Sequence, residues 1–529
     1  MAKSKHIHCA GVLALAFALQ LALGRISLAE ENADHSTTRR PAGKVSTITA
    51  APELKWPLPP GVDKSYDAID GQRMLRYVKE QAAISDKSRD EGNKFWGRIA
   101  GQKSGDETLT WVTQKLKDLK LDIETKTIPM TTQNIPKDWD VTVSVGGKSL
   151  KLESAFPIID FDTYMPGNTG EQNLDAVWVG LGHPVDFATK DVRGKVVFIY
   201  SIPTPSTLTQ SADWLDAVGQ AQKAGAKAAI VGIAIPGNMK YVSHITFAPL
   251  SKDIKIPILT IGNDDLNAVA DMAATAAKGS GEFKAHVSWN VETTTGHTEG
   301  IVIAKLPGMT DEKIVMIAHT DGLFEGATDD GAGVAALIET ANYFTKLPKE
   351  KRRRTMYFVA LPDHHGGDSG GRWMHENFKT AFPNTAVLMN AEHIAAKAPV
   401  YDRVWRQHVA PSLFATNGLG PSWWGVYGSD RLATIVRDDY ALFGVPTQIA
   451  EGGSSGELVQ MQFDAPSFYL HNKGVYYHAD ADTPDVVPAE GMRNAVQAIA
   501  KIFNDVNKVD LKDLQPPADR MAPKSASAQ

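Results

Sequence analysis

The stretch that most limits how this chain can fold runs from Ile314 to Phe344, IVMIAHTDGLFEGATDDGAGVAALIETANYF. The apolar residues Ile314 to Ala318 predict a strand buried on both faces, which stops at His319-Thr320-Asp321. A glycine-rich loop with Asp329 and Asp330 follows, and then Val334, Leu337, Ile338, Ala341 and Phe344 recur at helical spacing. A strand, a polar loop and a helix in that order put polar side chains at the strand's carboxyl end, where open α/β sheets bind ligands. His319 and Asp321 have the make-up of a metal ligand with its orienting acid, and Asp329 that of a second ligand at a helix start. A hydrogen-bonded loop histidine is the competing reading of His319, and this stretch alone leaves both open.

Repetition favours the ligand reading. Met356 to Leu361 runs into Pro362-Asp363-His364-His365-Gly366-Gly367, and Ala386 to Asn390 runs into Ala391-Glu392-His393. Three buried strands each end in histidine or carboxylate, as expected of ligands gathered at one end of a sheet. A fourth histidine, His478, sits in Tyr476-Tyr477-His478-Ala479-Asp480, ahead of a helix marked by Met492, Val496, Ile499 and Phe503.

A chain of 529 residues exceeds one ordinary core, so two or three domains are expected. The net charge of -6 offers no argument for nucleic acid or an anionic membrane as partner. Lys3 and Lys5, the apolar run Ala10 to Leu23, and Ser27-Leu28-Ala29 read as a secretory signal cut after Ala29, with an uncleaved anchor as the competing reading. This predicts a secreted or periplasmic protein with no membrane association after cleavage. The only cysteine, Cys9, falls inside that segment, so any metal in the mature chain must be held by histidine and carboxylate. Oligomeric state is not legible.

The predicted organisation is α/β. It comprises a signal peptide (1–29), a flexible arm (30–62), a first catalytic part (63–159), an inserted β-rich domain (160–290), a second catalytic part (291–508) and a disordered tail (509–529). Helical patterning near Met74, Val78 and Ala82 and again at Leu109, Val112, Leu116 and Leu119 opens the first part, and Leu121 to Ile128 alternates like a half-buried strand. Trp405, His408, Trp423, Trp424 and Tyr427 belong to a stretch read as either a pocket wall or an aromatic surface cluster.

The phrases DVRGKVVFIY, KAGAKAAIVG and IPILTIG resemble a protease-associated (PA) domain, which flanks the active-site mouth and carries no chemistry itself. Four motifs, AHTDG at 318–322, GATDDGAG at 326–333, FVAL before 362–367 and YYHADADTPD at 476–485, resemble the co-catalytic zinc exopeptidases of metallopeptidase family twenty-eight in order and spacing. The resemblance implies a mixed central sheet flanked by helices, and two zinc ions per chain. It implies His319 on one ion and His478 on the other, His365 and Glu392 as further ligands, Asp329 bridging both, and Asp321 behind His319. The family's Glu-Glu pair is replaced by His364 at the base position and His365 at the ligand position, with Asp363 as the rival base. Histidine is a legitimate zinc ligand, but its neutrality removes a negative charge and should hold the second ion less tightly. Tyr477 is either an oxyanion donor or a packed core tyrosine. The expected activity is hydrolysis of a peptide or small amide, most naturally as an aminopeptidase-like exopeptidase. The alternatives are a non-peptide amidohydrolase and a non-catalytic binding or scaffold relative.

Overall fold

Side chains along the strand Thr310–His319 alternate between two apolar clusters: Ile314, Met316 and Ala318 enter one, Val315 and Ile317 the other. Its neighbours do the same, with Met356, Phe358 and Ala360 facing one way and Val359 and Leu361 the other. This is the two-sided burial that the apolar runs predict, and each large side chain so buried stabilises by about 1.5–3 kcal/mol. The structure is a computed structural model. It describes residues 64–158, 170–201, 214–242, 254–402, 412–420, 422–445, 447–452, 465–472 and 475–517. The predicted signal peptide and arm lie outside the described residues, as do Trp405 and His408.

The central sheet has eight strands in the order Thr447–Gly452, Ser422–Tyr427, Ser467–His471, Thr385–Ala391, Thr310–His319, Arg354–Leu361, Thr298–Leu306 and Asp122–Pro129. Four neighbours, from Ser467–His471 to Arg354–Leu361, run parallel, and antiparallel strands flank them. Helices Gly71–Asp90, Gly333–Thr345 and Ala489–Val506 cover one face through Met74, Val78, Val334, Leu337, Val496 and Phe503. Helix Ser369–Ala381 covers the other with Met374 and Phe378. Trp424 is buried against Tyr440, which makes it a core residue.

A second eight-stranded sheet runs Lys148–Lys151, Gln133–Val145, Lys284–Thr294, Gly170–Trp178, Val196–Ser201, Ala228–Ile233, Ile258–Ile261 and Phe156–Pro157. Three of its strands precede residue 160, because Gln133–Val145 pairs along its whole length with Lys284–Thr294. The second lobe therefore begins earlier than the change in sequence texture suggests. Within this lobe lies the helix Trp214–Lys223, followed by Gly225 at φ 94°. At the other end, Leu511–Leu514 is helical with Leu514 fully buried, so folded chain extends past the predicted start of the tail at 509. No helix among the described residues is long and apolar enough to cross a membrane.

Candidate metal centre

The four parallel strands end at one place. The first supplies His319 as its last residue, Arg354–Leu361 turns into His364 and His365, Thr385–Ala391 runs into Glu392 and His393, and Ser467–His471 ends in His471. Asp329 arrives on the loop before helix Gly333–Thr345, and His478 on the loop before helix Ala489–Val506. Asp363, His393 and His478 hold left-handed backbone with φ of 68°, 51° and 55°. Non-glycine residues take that conformation rarely, and such strain collects at functional sites.

Asp329 is the hub. Its Oδ1 lies 3.2 Å from His319 Nε2 and 3.4 Å from His393 Nε2. Its Oδ2 lies 2.9 Å from His478 Nε2 and 3.2 Å from His365 Nε2. On the first side Glu392 Oε1 joins, 3.8 Å from His319 Nε2, 3.5 Å from His393 Nε2 and 3.4 Å from His364 Nε2. Asn390 donates to the other oxygen of Glu392 at 2.6 Å, with His471 Nε2 at 3.6 Å.

The outer nitrogens define the tautomers. Nδ1 of His319 lies 3.1 Å from the Asp321 carbonyl, Nδ1 of His365 3.0 Å from Asp321 Oδ2, and Nδ1 of His478 3.1 Å from the Val242 carbonyl. These oxygens accept only, so each Nδ1 carries a proton, which leaves Nε2 as the atom able to present a lone pair inward to a cation. The lone pairs of His365 and His478 meet at 3.1 Å with Asp329 Oδ2 beside them. Acceptors facing acceptors call for a cation. Tetrahedral ligands about 2.0–2.1 Å from zinc lie roughly 3.3 Å from one another, close to the spacings within each group. Three sets among the described residues could hold a metal: Asp329, His365 and His478; His319, Asp329 and His393, with Glu392 beside them; and His319, His364 and His365.

The electrostatics follow from burial opposed by opposite charge. Burial alone would raise Asp321, Asp329 and Glu392, yet the facing imidazoles hold all three well below the usual carboxylate range. Burial works against protonating His319, but Asp330, Asp321 and Asp329 outweigh it and raise its pKa. His478 is pushed down to about 3 by burial, against the pull of Asp329. Asp330 is raised well above its ordinary value by burial, with Glu392 and Asp329 adding to the effect.

The predicted residues His319, Asp321, Asp329, His364, His365, Glu392 and His478 thus gather in one buried cluster. Asp321 serves His365 more than His319: its carboxylate accepts from the backbone nitrogens of His364 and His365, at 3.0 and 2.8 Å, as well as from the His365 ring. The Asp363 carboxylate accepts from Ser369 N and Oγ at the start of a helix, and burial pushes it up to about 7. Tyr477 is buried, stacked on His478 at 3.7 Å and tilted against His393 at 4.9 Å.

Four further residues take part that sequence reading did not assign. His393 stands next to Glu392, and His471 ends the apolar run Phe468-Tyr469-Leu470, the same signal that marks His319. Asp482 accepts from Thr328 N and Oγ1 and from Asp329 N, at 2.9, 2.7 and 3.1 Å, and so fixes the hub loop. Asp330 accepts from the backbone nitrogens of His319 and His393, both at 3.2 Å, tying two strand ends together.

Comparison with known proteins agrees with this architecture. Over 268 residues the chain is 26% identical to aminopeptidase YwaD of Bacillus subtilis (strain 168), covering 50% of this chain and 51% of that protein. It thus spans about half the length of that curated relative. Among solved structures, a peptidase M28 precursor from Shewanella amazonensis SB2B superposes with a TM-score of 0.59 at 18% identity, covering 86% of this chain and 99% of that one. BSAP, a zinc aminopeptidase from Bacillus subtilis, superposes with a TM-score of 0.56 at 16% identity, covering 84% and 98%. Residues 302–503, which hold the whole cluster, match the model of peptidase family M28.

Proposed function

We propose that this protein is a metal-dependent exopeptidase acting from the N-terminal end of peptides, exported by its N-terminal segment. The observation that carries the reading is Asp329, whose two oxygens face two separate sets of inward-pointing imidazole nitrogens. His319, Asp329 and Glu392, joined by His393, would hold one zinc ion, and Asp329, His365 and His478 the other. When bound, the ions polarise the scissile carbonyl and make water acidic enough to attack it near neutral pH.

The chain's own groups do the rest. His364 Nε2, 3.4 Å from Glu392 Oε1, is placed to take the proton from attacking water and pass it to the departing amine. Asp321 fixes the backbone on which both His364 and His365 sit. Tyr477 presses on His478 and His393 and keeps their rings in place, with its hydroxyl as a candidate donor to the developing oxyanion. We read the second sheet as the anticipated PA domain, since strands Val196–Ser201, Ala228–Ile233 and Ile258–Ile261 are the phrases that suggested it.

The test is zinc content of the mature protein together with hydrolysis of aminoacyl-nitroanilides with and without a chelator. Near two equivalents of zinc and chelator-sensitive release of nitroaniline are expected. Two equivalents without cleavage would leave a non-peptide amide or a binding role. Absence of zinc would overturn the metal centre.

A further inference from the structure

The second lobe meets the candidate metal centre at the loop that carries His478, and it also packs Phe156 against Phe324 of the loop between His319 and Asp329. The segment Met239 to Val242 leaves strand Ala228–Ile233 and reaches across to the loop that carries His478. Tyr241 forms an antiparallel bridge with Ala479. Val242 N donates to the His478 carbonyl at 2.9 Å, while the Val242 carbonyl lies 3.1 Å from His478 Nδ1. Lys240 N donates to Asp480 Oδ1 at 3.0 Å, and Asp480 N returns a bond to the Lys240 carbonyl at 3.1 Å. The Tyr241 hydroxyl donates to the Val475 carbonyl at 3.3 Å, and Thr260 Oγ1 donates to the Tyr241 carbonyl at 2.7 Å. Val475, Tyr476, Ala479 and Ala481 are buried in the same apolar cluster as Val197, Ile199 and Val231 of the second sheet. One residue thus binds a histidine at both its backbone and its ring.

Resting on the metal-centre reading above, we propose that the second lobe is a positioning element of that centre: Val242 sets the tautomer and direction of His478. In this arrangement the lobe acts on one ion and leaves the other alone. His319 takes its outer bond from the Asp321 carbonyl and His365 from the Asp321 carboxylate, both within the first lobe. Coupling of this kind is reciprocal, so metal uptake at His478 also stabilises the docked segment.

The experiment titrates zinc calorimetrically into metal-free full-length protein, wild type against Tyr241→Phe, Thr260→Val and the double variant. Both positions lie in the second lobe and hold the segment without touching a ligand. The double variant should lose affinity for one ion by about tenfold, the usual effect of disturbing a ligand's outer partner, and keep the other unchanged. Equal affinities in all four proteins would overturn the proposal while leaving the metal centre standing; a wild type that takes up no zinc would overturn both. Should the double variant not fold, hydrogen exchange on the wild type decides. Zinc loading should slow exchange in peptides spanning 228–242 and 475–482 together, and protection confined to the second peptide would overturn the proposal.

Discussion

Asp321 Oδ2 lies 2.8 Å from the backbone nitrogen of His365 and 3.0 Å from its ring Nδ1. A single carboxylate oxygen therefore fixes the position and the tautomer of one histidine. Asp321→Asn keeps the shape but forces an amide into an acceptor's place, so His365 loses one of its two bonds. Affinity for the ion proposed to sit between His365 and His478 should fall about 10- to 100-fold, read by zinc titration.

His393 and Glu392 are consecutive, and both face the His319 side of the hub. If each holds the ion, His393→Ala and Glu392→Gln should each release about one equivalent of zinc on dialysis. His471→Ala, which removes an imidazole facing the outer oxygen of Glu392 and lying edge-on to His393, should weaken binding without releasing the ion. Metal analysis after dialysis separates the three.

Arg98 is fully buried and gives its guanidinium to backbone carbonyls: Nε to Thr320 at 3.1 Å, Nη1 to Glu325 at 2.7 Å and Nη2 to Gly326 at 2.9 Å. It thereby shapes the loop between His319 and Asp329. A Cβ on Gly322 would stand 2.3 Å from Arg98 Nη2, which explains the glycine. Arg98→Met removes one donor from each of three carbonyls and should cost about 3 kcal/mol or more, measured by urea denaturation. Lysine keeps the charge but not the fork, so Arg98→Lys should restore only part.

Arg73 grips buried Glu339 with two bonds of 2.7 Å, and Asp70 N adds a third at 3.0 Å, joining helix Gly71–Asp90 to helix Gly333–Thr345. Removing the cation strands a carboxylate in the core. Arg73→Ala should destabilise by about 3 kcal/mol, whereas the double change Arg73→Met with Glu339→Met should recover most of it. Denaturation midpoints check both.

Asp439 is 4% exposed, and its Oδ1 lies 2.9 Å from Lys501 Nζ. Burial raises its pKa to about 6; Lys501 opposes the rise and Asp505 adds to it. The folded state therefore binds this proton more tightly than the unfolded chain, so stability falls as pH rises from about 4 to about 6. Asp439→Asn removes that slope. Relative to wild type the variant should gain about 2 kcal/mol between pH 4 and 7, read from denaturation at both values.

Much of the molecule was legible before folding. Apolar runs such as Ile314 to Ala318 must be buried on both sides, so a chain with several of them forms a covered parallel sheet, and their polar ends must gather at one edge. That logic reached His319, Asp329 and the polar strand ends at 363–365 and 392–393 from the residues alone, and the family resemblance singled out His365, Glu392 and His478 as ligands. Tertiary structure alone decided which atoms meet. His393 and His478 take left-handed backbone, a choice no local pattern announces because distant contacts hold it in place. The same holds for Val242 on His478, 236 positions apart along the chain. Side-chain period dictates which face is buried; which oxygen stands behind which imidazole depends on the packing of whole lobes.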